Sequence, residues 1–207
     1  MNETYSDLAI WPSVLGSLFY HDPASESIAA AIAWLKAPES ASEWPFGQPD
    51  AGKALERARE ALSNEGIDAV HKAYNRLFIG PYRLPAPPWA SVYLDPESVI
   101  FGNETLELRD WMRACGVKMT LKVKEPEDQF GLMLMMLAWS VQNDVSDEDI
   151  RCLLEKHLLP WAPHFLQLFR EGAQDAFYEA LADVALATLS DWQGRHDLIP
   201  EDRPLSR

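Results

Sequence analysis

Apolar positions recur three and four residues apart along most of this chain, the spacing that lays one face of a helix against a core. Leu8, Trp11, Val14, Leu15, Leu18 and Phe19 predict a first helix, which ends near His21, Asp22 and Pro23 because proline disfavours helix at the residue before it. A second helix is predicted from Ser25 to Leu35, and two more at about 51–63 and 67–78, split by the glycine stop in "SNEG". Asn103 reads as an N-cap followed by first-turn acids, with Gly116 as the stop. "EDQFGLMLMMLAWSVQ", from Glu127 to about Gln142, is apolar almost all round and predicts a central core helix whose first turn is complemented by Glu127 and Asp128. Ser146 caps the next helix, Pro160 ends it, Pro163 opens another, and "DAFYEALADVALATLSDWQ" predicts the last.

Strand alternation occurs only in "VKMTLKVKEP" at 117–126, which has no evident partner strand and is expected to be an extended connection. The fold expected is all-α, a single globular helical domain over residues 1–207 with about eight to eleven helices. A hinge is expected near 103–126, between N-terminal and C-terminal helical lobes.

One stretch breaks the helical pattern. "FIGPYRLPAPPWASVYLDPESVIFG", residues 78–102, carries five prolines together with Tyr82, Trp89, Tyr93 and Phe101. A connection longer than about 12–15 residues is usually functional or disordered. This one has too much apolar area for disorder, so it is either a packed connector or a stiff aromatic rim that takes an apolar peptide and stacks on arginine. The acidic turn "EPEDQF", Glu125–Phe130, leaves a similar pair of readings open: helix capping, or an exposed carboxylate cluster that grips guanidinium groups.

Charge narrows the partners. With 18 basic and 32 acidic side chains the net charge is −14, which disfavours nucleic acid and anionic lipid and suits a cationic partner. The first twenty residues lack the basic start and apolar core of a secretory signal, and no apolar run approaches the roughly 18–20 residues that span a bilayer. Cys115 and Cys152 are the only cysteines, so a reducing compartment is expected.

Enzyme signatures are missing. There is no P-loop, nucleophile elbow, zincin or dithiol motif. The pairs His21–Asp22 and His196–Asp197 fall at predicted helix ends, where capping and dipole effects account for them, and His157 and His164 straddle a proline break. A metal-dependent helical hydrolase using His21 and Asp22 is the competing enzyme reading; no metal or cofactor is expected.

"AYNRLFIGPYRLPAPPWASVYLD" at 73–95, "EPEDQFG" at 125–131 and "HLLPW" at 157–161 resemble the TorD/DmsD family of redox-enzyme maturation chaperones, and the similarity runs from "VLGSLFYHDP" at 14–23 to "LIP" at 198–200. The resemblance implies an all-helical cytoplasmic chaperone, not an enzyme. It would bind the twin-arginine leader of a molybdoenzyme precursor of the dimethyl sulfoxide reductase type and delay export until cofactor insertion and folding are complete. Its implied partners extend to the translocase and cofactor-biosynthesis proteins, without membrane insertion, and the chain is expected as a monomer. A scaffold for the folded reductase, blind to its leader, is a further alternative.

Family positions tied to leader binding match Tyr74, Leu77, Phe78, Pro88, Trp89 and Asp128. The expected site adds Tyr82, Tyr93, Glu125 and Gln129: Leu77, Phe78, Trp89 and Tyr93 against the apolar part of the leader, Glu125 and Asp128 for its arginines. Gln129 departs from the family's usual histidine and cannot gain charge near neutral pH.

Overall fold

The computed structural model describes residues 4–121 and 124–207. Eleven α-helices are present among them: α1 Trp11–Tyr20, α2 Ala29–Lys36, α3 Ser40–Glu43, α4 Asp50–Glu65, α5 Ile67–Tyr74, α6 Ala90–Leu94, α7 Asn103–Ala114, α8 Phe130–Gln142, α9 Asp147–Cys152, α10 Ala162–Ala173 and α11 Ala176–Arg195. Their only extended pairing among the described residues is an isolated antiparallel bridge, Trp89 with Gln129. The fold is all-α. Of the stretch predicted as an extended connection, residues 122 and 123 lie outside the described residues; the described remainder is neither helix nor strand.

The chain forms two compact units: Met1–Tyr20, Pro88–Ala162 and Leu198–Arg207 make one, His21–Pro87 and Pro163–Asp197 the other. Residues 103–126 belong to the first.

In the first unit α1 lies against α8, and two glycines set their approach. A Cβ on Gly16 would stand 2.4 Å from the Gly131 carbonyl oxygen, and one on Gly131 2.4 Å from that of Gly16. Around this crossing Phe19 meets Phe130 edge-on at 5.0 Å, Phe130 meets Trp161 at 6.2 Å, and Trp161 stacks on Tyr93 at 5.4 Å. In the second unit α4 pairs with α11, and Trp44, Phe46 and Trp192 fill the space beside them, with the Trp44 indole N–H donating to Thr188 at 3.0 Å.

Several boundaries differ from the sequence reading. The second helix begins at Ala29 after a 3-10 turn, Glu26–Ile28. The long segment at 78–102 is interrupted by α6, whose five residues are all buried. α7 begins at Asn103, but Asn103 is not its cap: the buried Asp95 carboxylate accepts the Glu104 amide at 3.2 Å. α8 begins at Phe130, so Glu127 and Asp128 do not form its first turn. Its N-cap is Gln129, whose side-chain oxygen accepts the Leu132 amide at 2.9 Å. Ser146 caps α9 as its sequence suggests, and Asp175 caps α11.

Candidate functional site

The two unusual stretches of the sequence meet in the first unit. Phe130 N–H donates to Pro88 C=O at 2.8 Å and Ala90 N–H to Asp128 C=O at 3.0 Å, so "PPWA" and "EDQF" pair through their backbones. The Asp128 carboxylate also accepts the Ser91 amide at 2.7 Å, 37 residues away in sequence. Asp128 thereby caps α6, whose own N-cap position is Trp89, a side chain with no oxygen to offer.

Of the two readings of this turn, the exposed carboxylate does not hold for Asp128, assigned to the leader's arginines: it has no accessible surface. Burial raises its carboxyl above the ordinary range, against the pull of the Ser91 amide. The hydroxyls of Ser91 and Thr105 face it without closing to an ordinary hydrogen bond and also favour its charged form. Gln129 is buried as well, and its amide nitrogen donates to Phe19 C=O at 3.4 Å while its oxygen caps α8. A neutral side chain performs both tasks.

Glu125 and Trp89 are the half-exposed members of this group. Burial raises the Glu125 carboxyl, and the nearby Asp128 charge adds to the rise; the side chains of Tyr20 and Trp89 oppose it by favouring the ionised form. Trp89 turns its indole N–H inward, where it has no partner at ordinary hydrogen-bond length. Tyr20 is pushed up to about 12 by burial and then by the Glu125 charge. Glu127, also half-buried, is neutralised by Arg109 at 2.7 Å. The outcome is a half-buried carboxylate flanked by the side chains of Tyr20 and Trp89. Pro88 and Tyr93 are buried behind it.

Tyr74, Leu77, Phe78 and Tyr82 belong to the second unit. After α5 the chain makes a π turn, Asn75–Ile79, closed by Gly80 N–H on Asn75 C=O at 2.9 Å. The wider turn leaves Leu77 inside and Ile79 65% exposed. Phe78 stacks on Tyr74 at 5.1 Å and meets Phe169 and Tyr178 at 5.3 and 5.7 Å, so Tyr74 and Phe78 each show only an edge. Tyr82 is 85% exposed.

Comparison with known proteins decides the family. A family model described as the nitrate reductase delta subunit matches residues 47–167, more than half of the chain. The Tat proofreading chaperone DmsD of Salmonella typhi is 41% identical over 97% of this chain and 96% of its own length. The chain belongs to the TorD/DmsD family of redox-enzyme maturation chaperones. A probable Tat proofreading chaperone DmsD of Haemophilus influenzae is 36% identical over 93% of each chain. A crystal structure of a putative redox enzyme maturation protein from Archaeoglobus fulgidus covers 92% of this chain and 96% of its own, with a TM-score of 0.57 and 21% identity, a likeness of fold.

Like its TorD/DmsD relatives the protein is a chaperone and not an enzyme. The His21–Asp22 pair has other employment: Asp22 accepts the Ala24 amide at 2.9 Å and bonds His71 Nδ1 at 2.8 Å. Among the described residues no three His, Cys, Asp or Glu side chains converge as metal ligands, and no helix is long and apolar enough to cross a membrane. Sequence reasoning missed Tyr20, Ser91 and Thr105. Tyr20 lay inside the quoted "VLGSLFYHDP", but nothing local marks a tyrosine as the neighbour of Glu125; Ser91 and Thr105 gain meaning only once Asp128 is placed.

Proposed function

We propose that this chaperone binds the twin-arginine leader of a redox-enzyme precursor, a molybdoenzyme of the dimethyl sulfoxide reductase type, and withholds it from export until the enzyme is folded around its cofactor. The observation that carries the reading is the half-exposed pair Trp89 and Glu125, held by the Pro88–Phe130 and Ala90–Asp128 backbone bonds. The pair offers a guanidinium both of the groups it favours, a carboxylate and an aromatic face. The names of the relatives, Tat proofreading chaperones, support the same partner.

Within this reading the ten residues divide by exposure. Trp89 and Glu125 contact the arginine-bearing part of the leader. Pro88, Tyr93, Asp128 and Gln129 act as supports, fixing the backbone beneath those contacts. Of the four in the second unit, Tyr82 is exposed, Tyr74 and Phe78 are buried but for an edge and Leu77 is buried.

Calorimetry against a twin-arginine leader peptide and its Arg-Arg to Lys-Lys variant tests the proposal. Trp89→Ala and Glu125→Ala each weaken the leader by about ten-fold or more while the Lys-Lys peptide binds poorly to all forms. Unchanged affinity in both protein variants rejects the site. The raised Glu125 carboxyl adds a signature. A guanidinium favours the ionised form and lowers that pKa again. Between the ordinary and the raised value, binding therefore releases a proton, and affinity falls as pH falls. Glu125→Gln abolishes both effects; proton release that persists in this variant removes Glu125 from the arginine contact.

A further inference from the structure

Residues 198–207 run without helix or strand across the first unit, and they are held there as a peptide would be. Leu198 is buried, whereas Ile199, Glu201, Asp202, Pro204, Leu205 and Ser206 are exposed. The contacts come from the main chain, from Arg203, and from Arg207, whose charge lies near Tyr93. Ile199 N–H donates to Glu155 Oε1 at 2.8 Å, Glu201 N–H to Glu155 C=O at 2.8 Å, and Ser206 N–H to Tyr93 C=O at 2.7 Å. Arg203 places a guanidinium nitrogen 2.5 Å from Glu104 Oε2.

Glu104 is an unusual place for an arginine to end. It is 1% exposed and sits in the first turn of α7, with its other oxygen 2.7 Å from Nδ1 of the buried His157. Burial alone would push its carboxyl up, but His157 and Arg203 together bring it below the ordinary range, so the site holds a charge that requires a cation. The strap also touches the proposed leader site. Ser206 holds Tyr93 of α6, the helix whose other end Asp128 caps, and Thr105, next to Glu104, faces Asp128.

We propose that Glu104, oriented by His157, is a receptor for the guanidinium of an extended peptide, and that residues 198–207 are its resident occupant, displaced when a leader arginine takes the place of Arg203. The inference rests on the leader-binding reading and adds to it a second acid and a built-in competitor. The exchange is chemically even, one guanidinium for another on the same carboxylate, and the strap is suited to leave. Leu198 is its only buried side chain, with Pro200, Arg203 and Arg207 half-buried, and single backbone hydrogen bonds of this kind belong to the part of a fold that opens most readily. An extended peptide bound through its amides and one charged side chain is also how main-chain recognition of a leader would look.

Amide hydrogen exchange on the full chain, with and without saturating twin-arginine leader, tests this directly. The expected result is exchange at Glu201 and Ser206 that is slower in the free protein than in an unstructured peptide, though faster than in the core helices, and at least about ten-fold faster again with leader bound. Arg203→Ala, checked for folding by circular dichroism, is expected to bind leader severalfold more tightly, and Arg203→Lys to fall between it and wild type. Leader binding that leaves both amides protected and is not strengthened by Arg203→Ala overturns the inference and leaves the leader reading standing. Absence of leader binding by both wild type and Arg203→Ala overturns both. Should Arg203→Ala fail to fold, the exchange measurement on the wild type decides alone.

Discussion

Asp128 spends its carboxylate inside the protein. Its Oδ2 accepts the Ser91 amide and its backbone oxygen the Ala90 amide, so the first free N–H groups of α6 are satisfied from a segment 37 residues later. Under the proposed leader reading, an acid in such a place acts through α6 and Trp89, not by touching arginine. Asp128→Ala is expected to cost about 1–2 kcal/mol, the usual loss of an N-cap, while Asp128→Asn keeps an acceptor and most of the stability. Urea unfolding checks this; an alanine variant as stable as wild type removes the capping account. Gln129 follows the same logic, since its oxygen caps α8 and its nitrogen reaches Phe19. The sequence marked both residues as special. It could not say that they work from within, because a carboxylate's burial depends on what folds over it.

At the scale of elements, legibility followed where each cap comes from. α9 and α11 begin on Ser146 and Asp175, side chains at their own N-cap positions; the first was read as a cap, and the second is the first residue of the stretch predicted as the last helix. α6 and α7 begin on acids supplied from elsewhere, Asp128 and Asp95, and there local rules misplaced the cap or missed the helix. Asp95 reaches Glu104 because residue 102 is glycine: a Cβ there would lie 1.9 Å from Asp95 Oδ2, although the backbone at Gly102, φ −76°, would suit any residue. Gly102→Ala should therefore displace the Asp95 side chain and cost about as much as losing a cap, roughly 1–2 kcal/mol. Asp95→Ala should cost a similar amount. Because the two changes remove one interaction, the double variant should be little worse than Asp95→Ala alone, and denaturant midpoints measure the difference. Additive losses would mean that the glycine serves another purpose.

For the whole molecule, a charge of −14 acts before any contact forms. The family was legible in short motifs and the all-helical class in periodicity, whereas the gathering of Trp89, Glu125 and Tyr20 needed three distant segments to be placed. On the proposed reading, electrostatics separates the stages by which such a site would capture a cationic leader. The diffuse negative field attracts both arginine and lysine peptides, and it is screened within about 10 Å at 0.1 M salt. Only arginine then makes the planar, paired hydrogen bonds that a carboxylate and an aromatic face reward. Stopped-flow association of a twin-arginine leader is expected to slow by about ten-fold between low and high salt, with dissociation changing far less. The Lys-Lys peptide should show the same salt dependence in its association rate but dissociate faster. Equal dissociation rates for the two peptides would mean that the acids only attract the leader and that its arginines are not read one by one at Glu125 or Glu104.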